Sequence, residues 1–112
     1  MATPSAGDVV VVRFPFSDLT NSKLRPAIVL ASAGKNDWVL CQITSKAYAD
    51  ASAIEIKDDD FEAETLHLTS YARPGKLFTS NEILIASQIG SLKKECFEKI
   101  VHAVIQLIQS GH

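Results

Sequence analysis

With only two cysteines and three histidines in 112 residues, the chain has little of the side-chain chemistry that binds metals or staples small folds. Cys41 and Cys96 show no CxxC spacing and have no third thiol beside them, so a disulfide framework and a thiolate metal site are both excluded; both read as buried thiols. No HxxxH, DxD or clustered carboxylate pattern with ligand spacing accompanies the basic segments. The expectation is therefore no metal and no cofactor, with Asp58-Asp59-Asp60 solvated rather than cation-binding. No apolar run approaches the roughly 18 residues that span a bilayer. Met1-Ala2-Thr3-Pro4-Ser5 has neither a basic stretch nor an apolar signal core, so a cytoplasmic protein without a membrane is expected. What is there is globular: 46% hydrophobic and 21% charged residues exclude a wholly disordered or fibrous chain. The length suffices for one modest core and not two, which predicts a single domain over residues 1–112.

Net charge is only −2, but its distribution is uneven. Residues 13–46 carry Arg13, Lys23, Arg25, Lys35 and Lys46 against Asp18 and Asp37, a net of +3. Residues 50–64 carry seven acids against Lys57, a net of −6; Arg73, Lys76, Lys93, Lys94 and Lys99 then oppose Glu82, Glu95 and Glu98. Two basic stretches thus flank an acidic insert. That insert reads either as a solvated loop or as a device that keeps polyanions off one face.

Periodicity places these charges on elements. Val9-Val10-Val11-Val12-Arg13-Phe14 is a β-branched run of strand type with at least one buried face. The turn-rich segment 15–22 links it to a second strand through Leu24-Arg25-Pro26-Ala27-Ile28-Val29-Leu30, and is long enough to reach a ligand. A short turn at 33–37 leads to a third strand, Trp38 to Ile43, and Ala53-Ile54-Glu55-Ile56 alternates as a fourth. Arg73-Pro74-Gly75-Lys76 is expected to form a turn, and residues 83–90 a strand or irregular edge. From Ser91, the expected N-cap, Leu92, Cys96, Phe97, Ile100, Val101, Val104, Ile105 and Ile108 recur at helical spacing, and Gly111 suits the C-terminal end. Several strands followed by one helix predict an α+β fold, mainly β: a small, strongly bent antiparallel sheet or partly open barrel with a C-terminal helix packed on it.

One constellation points to chemistry. Arg25, held by Pro26 at the mouth of an apolar strand, precedes by about eighteen residues a strand that ends in Thr44-Ser45-Lys46. A guanidinium offers a fixed fork of donors matched to phosphate oxygens, and a hydroxyl adds one more donor. Arg25 paired with an acid, or Thr44 capping a strand end through its own hydroxyl, would explain the same residues without chemistry.

The wider pattern resembles the MazF/PemK family of type II toxins. The resemblance rests on Gly7-Asp8-Val9-Val10-x-Val12-x-Phe14-x-Phe16-Ser17-Asp18, then Arg25-Pro26-Ala27-Ile28-Val29-Leu30, and then Cys41-Gln42-Ile43-Thr44-Ser45-Lys46. Tyr71-x-Arg73-Pro74-x-Lys76-Leu77-Phe78-Thr79 and Ile89-Gly90-x-Leu92 follow in order, so that it covers roughly residues 7–108. It implies an SH3-like barrel of CcdB/PemK type, a homodimer, and a metal-independent endoribonuclease that cuts single-stranded mRNA at short sequences. The ends left would be a 2′,3′-cyclic phosphate and a 5′-hydroxyl. It further implies a cognate antitoxin whose acidic, partly disordered tail competes for the basic groove.

On that resemblance the catalytic pair is Arg25 and Thr44, with Ser45, Lys46 and Arg73 against RNA. Ser17, Asp18 and Lys23, in and beside the first loop, would contact bases, and Phe16 and Tyr71 are stacking candidates, although Phe16 fits core packing as well. His67 is the only histidine with any claim to acid–base work, because His102 falls within the helix and His112 is the last residue. The rival reading is a CcdB-like toxin, or an inactive relative, that acts by binding protein; such a protein has no chemical need for the Arg25 and Thr44 pair.

Overall fold

The computed structural model describes residues 3–15, 22–46, 50–62 and 69–111. Six strands form: β1 (Asp8–Pro15), β2 (Ser22–Gly34), β3 (Asp37–Thr44), β4 (Ile54–Ile56), β5 (Ser70–Asn81) and β6 (Ile85–Ser91). The helix α1 (Lys94–Ser110) follows them. All pairings are antiparallel, in the order β4-β5-β3-β2-β1-β6. The sheet is not closed, but it bends until the chain beyond its two edges meets. Phe61, past β4, bridges Leu92, past β6; Glu62 N donates to the Ser91 carbonyl at 2.9 Å and Lys93 N to the Asp60 carbonyl at 2.7 Å.

The unbroken valine run of β1 has a simple cause, since both faces of the strand are buried. Val9 joins Ile28, Cys41, Ile43, Ile56 and Ala72 on the face covered by α1, where Cys96 and Ile100 meet them. Val10 and Val12 join Ala27, Val29, Leu40 and Ile85 on the opposite face. Lys35 and Asn36, both at positive φ (52° and 66°), make the two-residue turn between β2 and β3 that the right-handed twist of a hairpin favours. Gly7 sits at φ 95°, a conformation that side chains resist, while its carbonyl accepts from Leu92 N at 2.9 Å.

Two local expectations need correction. Arg73-Pro74-Gly75-Lys76 does not reverse the chain. Ala72 pairs with Ile43 and Leu77 with Cys41, so the four residues bulge from one continuous strand, β5. Pro74 is fully buried, and a Cβ added at Gly75 would come within 3.6 Å of Leu107 on α1, so the bulge packs beneath the helix. Ser91 is not the N-cap, which is Lys93; the Ser91 hydroxyl instead donates to Asp8 Oδ1 at 2.9 Å. The apolar stripe of α1 is buried only in part. Cys96, Ile100 and Val104 lie in the core, whereas Ile105 and Ile108 are 45% and 66% exposed. Gly111 does cap the helix, in the left-handed conformation at φ 70°.

Both thiols are buried as expected, and burial pushes each pKa up from 9.0 to about 11. A group bound more tightly to its proton in the native state stabilises that state fully below the unfolded pKa and loses the contribution as pH rises through the folded one. Thermal stability is therefore expected to fall between about pH 9 and pH 11. Iodoacetamide at neutral pH should label neither cysteine until denaturant is added. Fast labelling of the native protein would contradict the burial.

Candidate functional site

Strand register assembles the site. Val12 pairs with Arg25 across β1 and β2, and Thr44 pairs with Tyr71 across β3 and β5. The β2 and β3 ladder runs to Ala27 opposite Gln42, so Arg25 and Thr44 each lie two residues past its last pair, at the same end of neighbouring strands. Tyr71 in turn pairs with Glu55 of β4. Val12 and Arg25 thus form one row on β1 and β2, and Thr44, Tyr71 and Glu55 another on β3, β5 and β4, the two meeting at the same end of the sheet.

The face of Arg25 and Thr44 follows from alternation. Arg25 shares its side of β2 with Ala27 and Val29, and Thr44 its side of β3 with Leu40, so both lie on the face away from α1. Lys23, exposed and two residues before Arg25, lies on this face as well. Arg25, Thr44 and Tyr71 are half-buried, while Ser45 and Lys46 are exposed just past the end of β3.

The Thr44 hydroxyl makes the local bond that the bland reading anticipates: Lys46 N donates to Oγ1 at 3.3 Å. That bond occupies a lone pair and leaves the hydroxyl proton free to be donated to a ligand. Arg73 emerges at the start of the β5 bulge and is committed elsewhere in part. Its Nε donates to Asp50 Oδ2 at 2.9 Å, and its carbonyl accepts from the Cys41 thiol at 3.3 Å. The guanidinium holds the Asp50 carboxyl below its ordinary range. Nothing local in the sequence signals this pair, because the two residues lie 23 positions apart and Asp50 merely opens the acidic run.

Phe16, Ser17 and Asp18 lie outside the described residues, as does His67. His102, exposed on α1, is the only histidine among the described residues, and it is remote from the Arg25 face. Among the described residues no three His, Cys, Asp or Glu side chains gather as metal ligands would. The acidic turn Asp58–Asp60 sits beside the start of α1, where the Asp60 carbonyl accepts from Lys93 N. It does not cover the Arg25 row. No helix among the described residues is long and apolar enough to cross a membrane.

The chain is thus a bent open antiparallel sheet with one terminal helix, with an arginine and a threonine on the face away from that helix. Residues 5–108 match the model of the PemK-like, MazF-like toxins of type II toxin-antitoxin systems, and the chain belongs to that family. No curated protein sequence matches it. Among solved structures it is similar to MazF in a MazE-MazF complex from Deinococcus radiodurans, at 16% identity over 97% of this chain and 98% of the other, with a TM-score of 0.78. It is also similar to a mycobacterial endoribonuclease in complex with its cognate antitoxin, at 15% identity over 97% and 96% of the chains and a TM-score of 0.73. The Mycobacterium tuberculosis toxin MazF-mt6 follows at 16% identity, 91% and 96% coverage, and a TM-score of 0.70. Likeness at such identities is likeness of fold.

Proposed function

We infer that this toxin is a metal-independent endoribonuclease that cuts single-stranded mRNA at short sequences, and the observation that carries the reading is that Arg25 of β2 and Thr44 at the end of the neighbouring strand β3 share the sheet face away from α1. In cleavage without a metal, the ribose 2′-oxygen attacks the adjacent phosphorus, the bond from phosphorus to the 5′-oxygen breaks, and negative charge grows on the non-bridging oxygens. The 2′-hydroxyl loses its proton and the departing 5′-oxygen gains one. The products are a 2′,3′-cyclic phosphate and a 5′-hydroxyl.

Arg25 supplies fixed positive charge and a fork of donors to the non-bridging oxygens, stabilising the charge as it develops. With an ordinary pKa above ~12, a guanidinium serves better as an electrostatic clamp than as a base. The Thr44 hydroxyl donates to the same phosphate and fixes its orientation. Lys46, Ser45 and Lys23 line the approach for flanking phosphates and bases, and Tyr71, next to Thr44 in the row, offers a ring on which an unstacked base can lie.

The fold in other family members is seen with antitoxin. For this chain we take the partner to be a cognate antitoxin with an acidic, partly disordered tail that would mimic the RNA backbone in the same basic groove. The toxin would act in the cytoplasm as a homodimer. The test is incubation of a long single-stranded RNA with the protein in excess EDTA, followed by mapping of cut sites and end groups. Discrete cuts bearing cyclic phosphate and 5′-hydroxyl ends are expected. Intact RNA from a folded protein that still arrests growth when expressed would overturn the reading and point to a protein target.

A further inference from the structure

Arg73 and Asp50 flank one end of the β4–β5 ladder. Asp50 opens the turn into β4: its Oδ1 accepts from Ser52 N at 2.9 Å and its carbonyl from Ala53 N at 3.2 Å. The strand that follows pairs Ile54 with Ala72, the residue before Arg73. Arg73 is the first residue of the β5 bulge, two positions on from Tyr71, which pairs with Thr44. The Asp50 and Arg73 side chains are only 17% and 25% exposed, which fixes both against solvent.

The geometry of the pair is one-sided. Because Ser52 N engages Oδ1, the carboxylate meets the guanidinium through Oδ2 at Nε, and a guanidinium has four further N–H donors on Nη1 and Nη2. We propose that Asp50 is a positioning residue: it holds Arg73 by Nε so that the Nη groups grip a backbone phosphate adjoining the scissile one. The proposal rests on the ribonuclease reading above. An unheld arginine samples many rotamers, and ordering it on a phosphate costs affinity; here the ordering is completed on folding. Asp50 touches no RNA and acts only through Arg73.

The test is a double-mutant cycle with Asp50→Ala, Arg73→Ala and the double variant. Each binds a labelled single-stranded RNA that carries a mapped cut site blocked by a 2′-O-methyl group, over a series of KCl concentrations. Asp50→Ala is expected to weaken binding roughly fivefold to tenfold. Arg73→Ala should weaken it at least as much and lower the salt slope by about 0.7, the loss of one phosphate contact on a single strand. The double variant should bind no worse than Arg73→Ala alone. Thermal melts verify folding, and Asp50→Asn, which keeps an acceptor for Ser52 N but loses the charge, should show a smaller loss in the same direction.

Losses that multiply in the double variant would overturn the proposal. So would tighter binding by Asp50→Ala, which would make the carboxylate a competitor of the phosphate. If wild-type protein cuts RNA and the cycle is additive, only this proposal falls. If wild-type protein neither binds nor cuts RNA, the ribonuclease reading falls and this proposal falls with it.

Discussion

Arg25→Ala is expected to lower the single-turnover rate of RNA cleavage by roughly 10³-fold, with the fold intact. Removal of one preorganised donor from a site of developing negative charge typically costs about 10²- to 10³-fold, and here the donor carries a full positive charge in a half-buried setting. Arg25→Lys should recover little, because an ammonium is a point charge that cannot span two phosphate oxygens. Thr44→Ala should lose less, about 10- to 10²-fold, and Thr44→Ser should recover most of that by restoring the hydroxyl. The rates are to be read beside circular dichroism and a thermal melt. An Arg25→Ala protein within tenfold of wild type would remove Arg25 from the chemistry and leave it as a structural cation.

The largest effect on stability is expected at Ile100. It is wholly buried and packs with Val9, Ile28, Cys41 and Ile56, at the seam where α1 meets the sheet. Ile100→Ala removes three carbons from that seam, which can collapse only in part because β1, β2 and β3 are tied by their ladders. The expected loss is about 3–4 kcal/mol. Against a total stability of about 5–15 kcal/mol it should lower the melting temperature by about 10–20 °C. Ile108→Ala, on the same helix but 66% exposed, should cost under about 0.5 kcal/mol. Urea titrations of the two variants make the comparison. Equal losses would mean that another surface covers the end of α1.

That contrast separates what the chain's pattern encodes from what the fold decides. Helical spacing put Ile100 and Ile108 in one apolar series, yet only the first reaches the core, because at the end of the helix it is Leu107 that faces the β5 bulge and Ile108 turns to solvent. The same holds at Ser91. Its position before the helix favours an N-cap, but the pairing of β6 with β1 brings Asp8 within reach of its hydroxyl, and the cap falls to Lys93. Pro74-Gly75 carries the local signal of a reversal. Because the segments on both sides of it pair with β3 in one direction, the chain bulges instead.

By itself the sequence determined the first four strands and the helix, since period two and period 3.6 are local properties of side-chain order, while it read β5 as two segments about a turn and left the β6 segment between strand and irregular edge. It also determined that Cys41 and Cys96 are buried, and it marked Arg25 and Thr44 as candidates through an anchored arginine and a hydroxyl ending the next strand. Only the tertiary structure decided the pairing of Thr44 with Tyr71, the sheet face that Arg25 and Thr44 share, and the bond that ties Arg73 to Asp50. The reason is that register and face depend on how both sides of a twisted sheet are buried at once. A partner 23 residues away leaves no periodic trace in the chain that carries it.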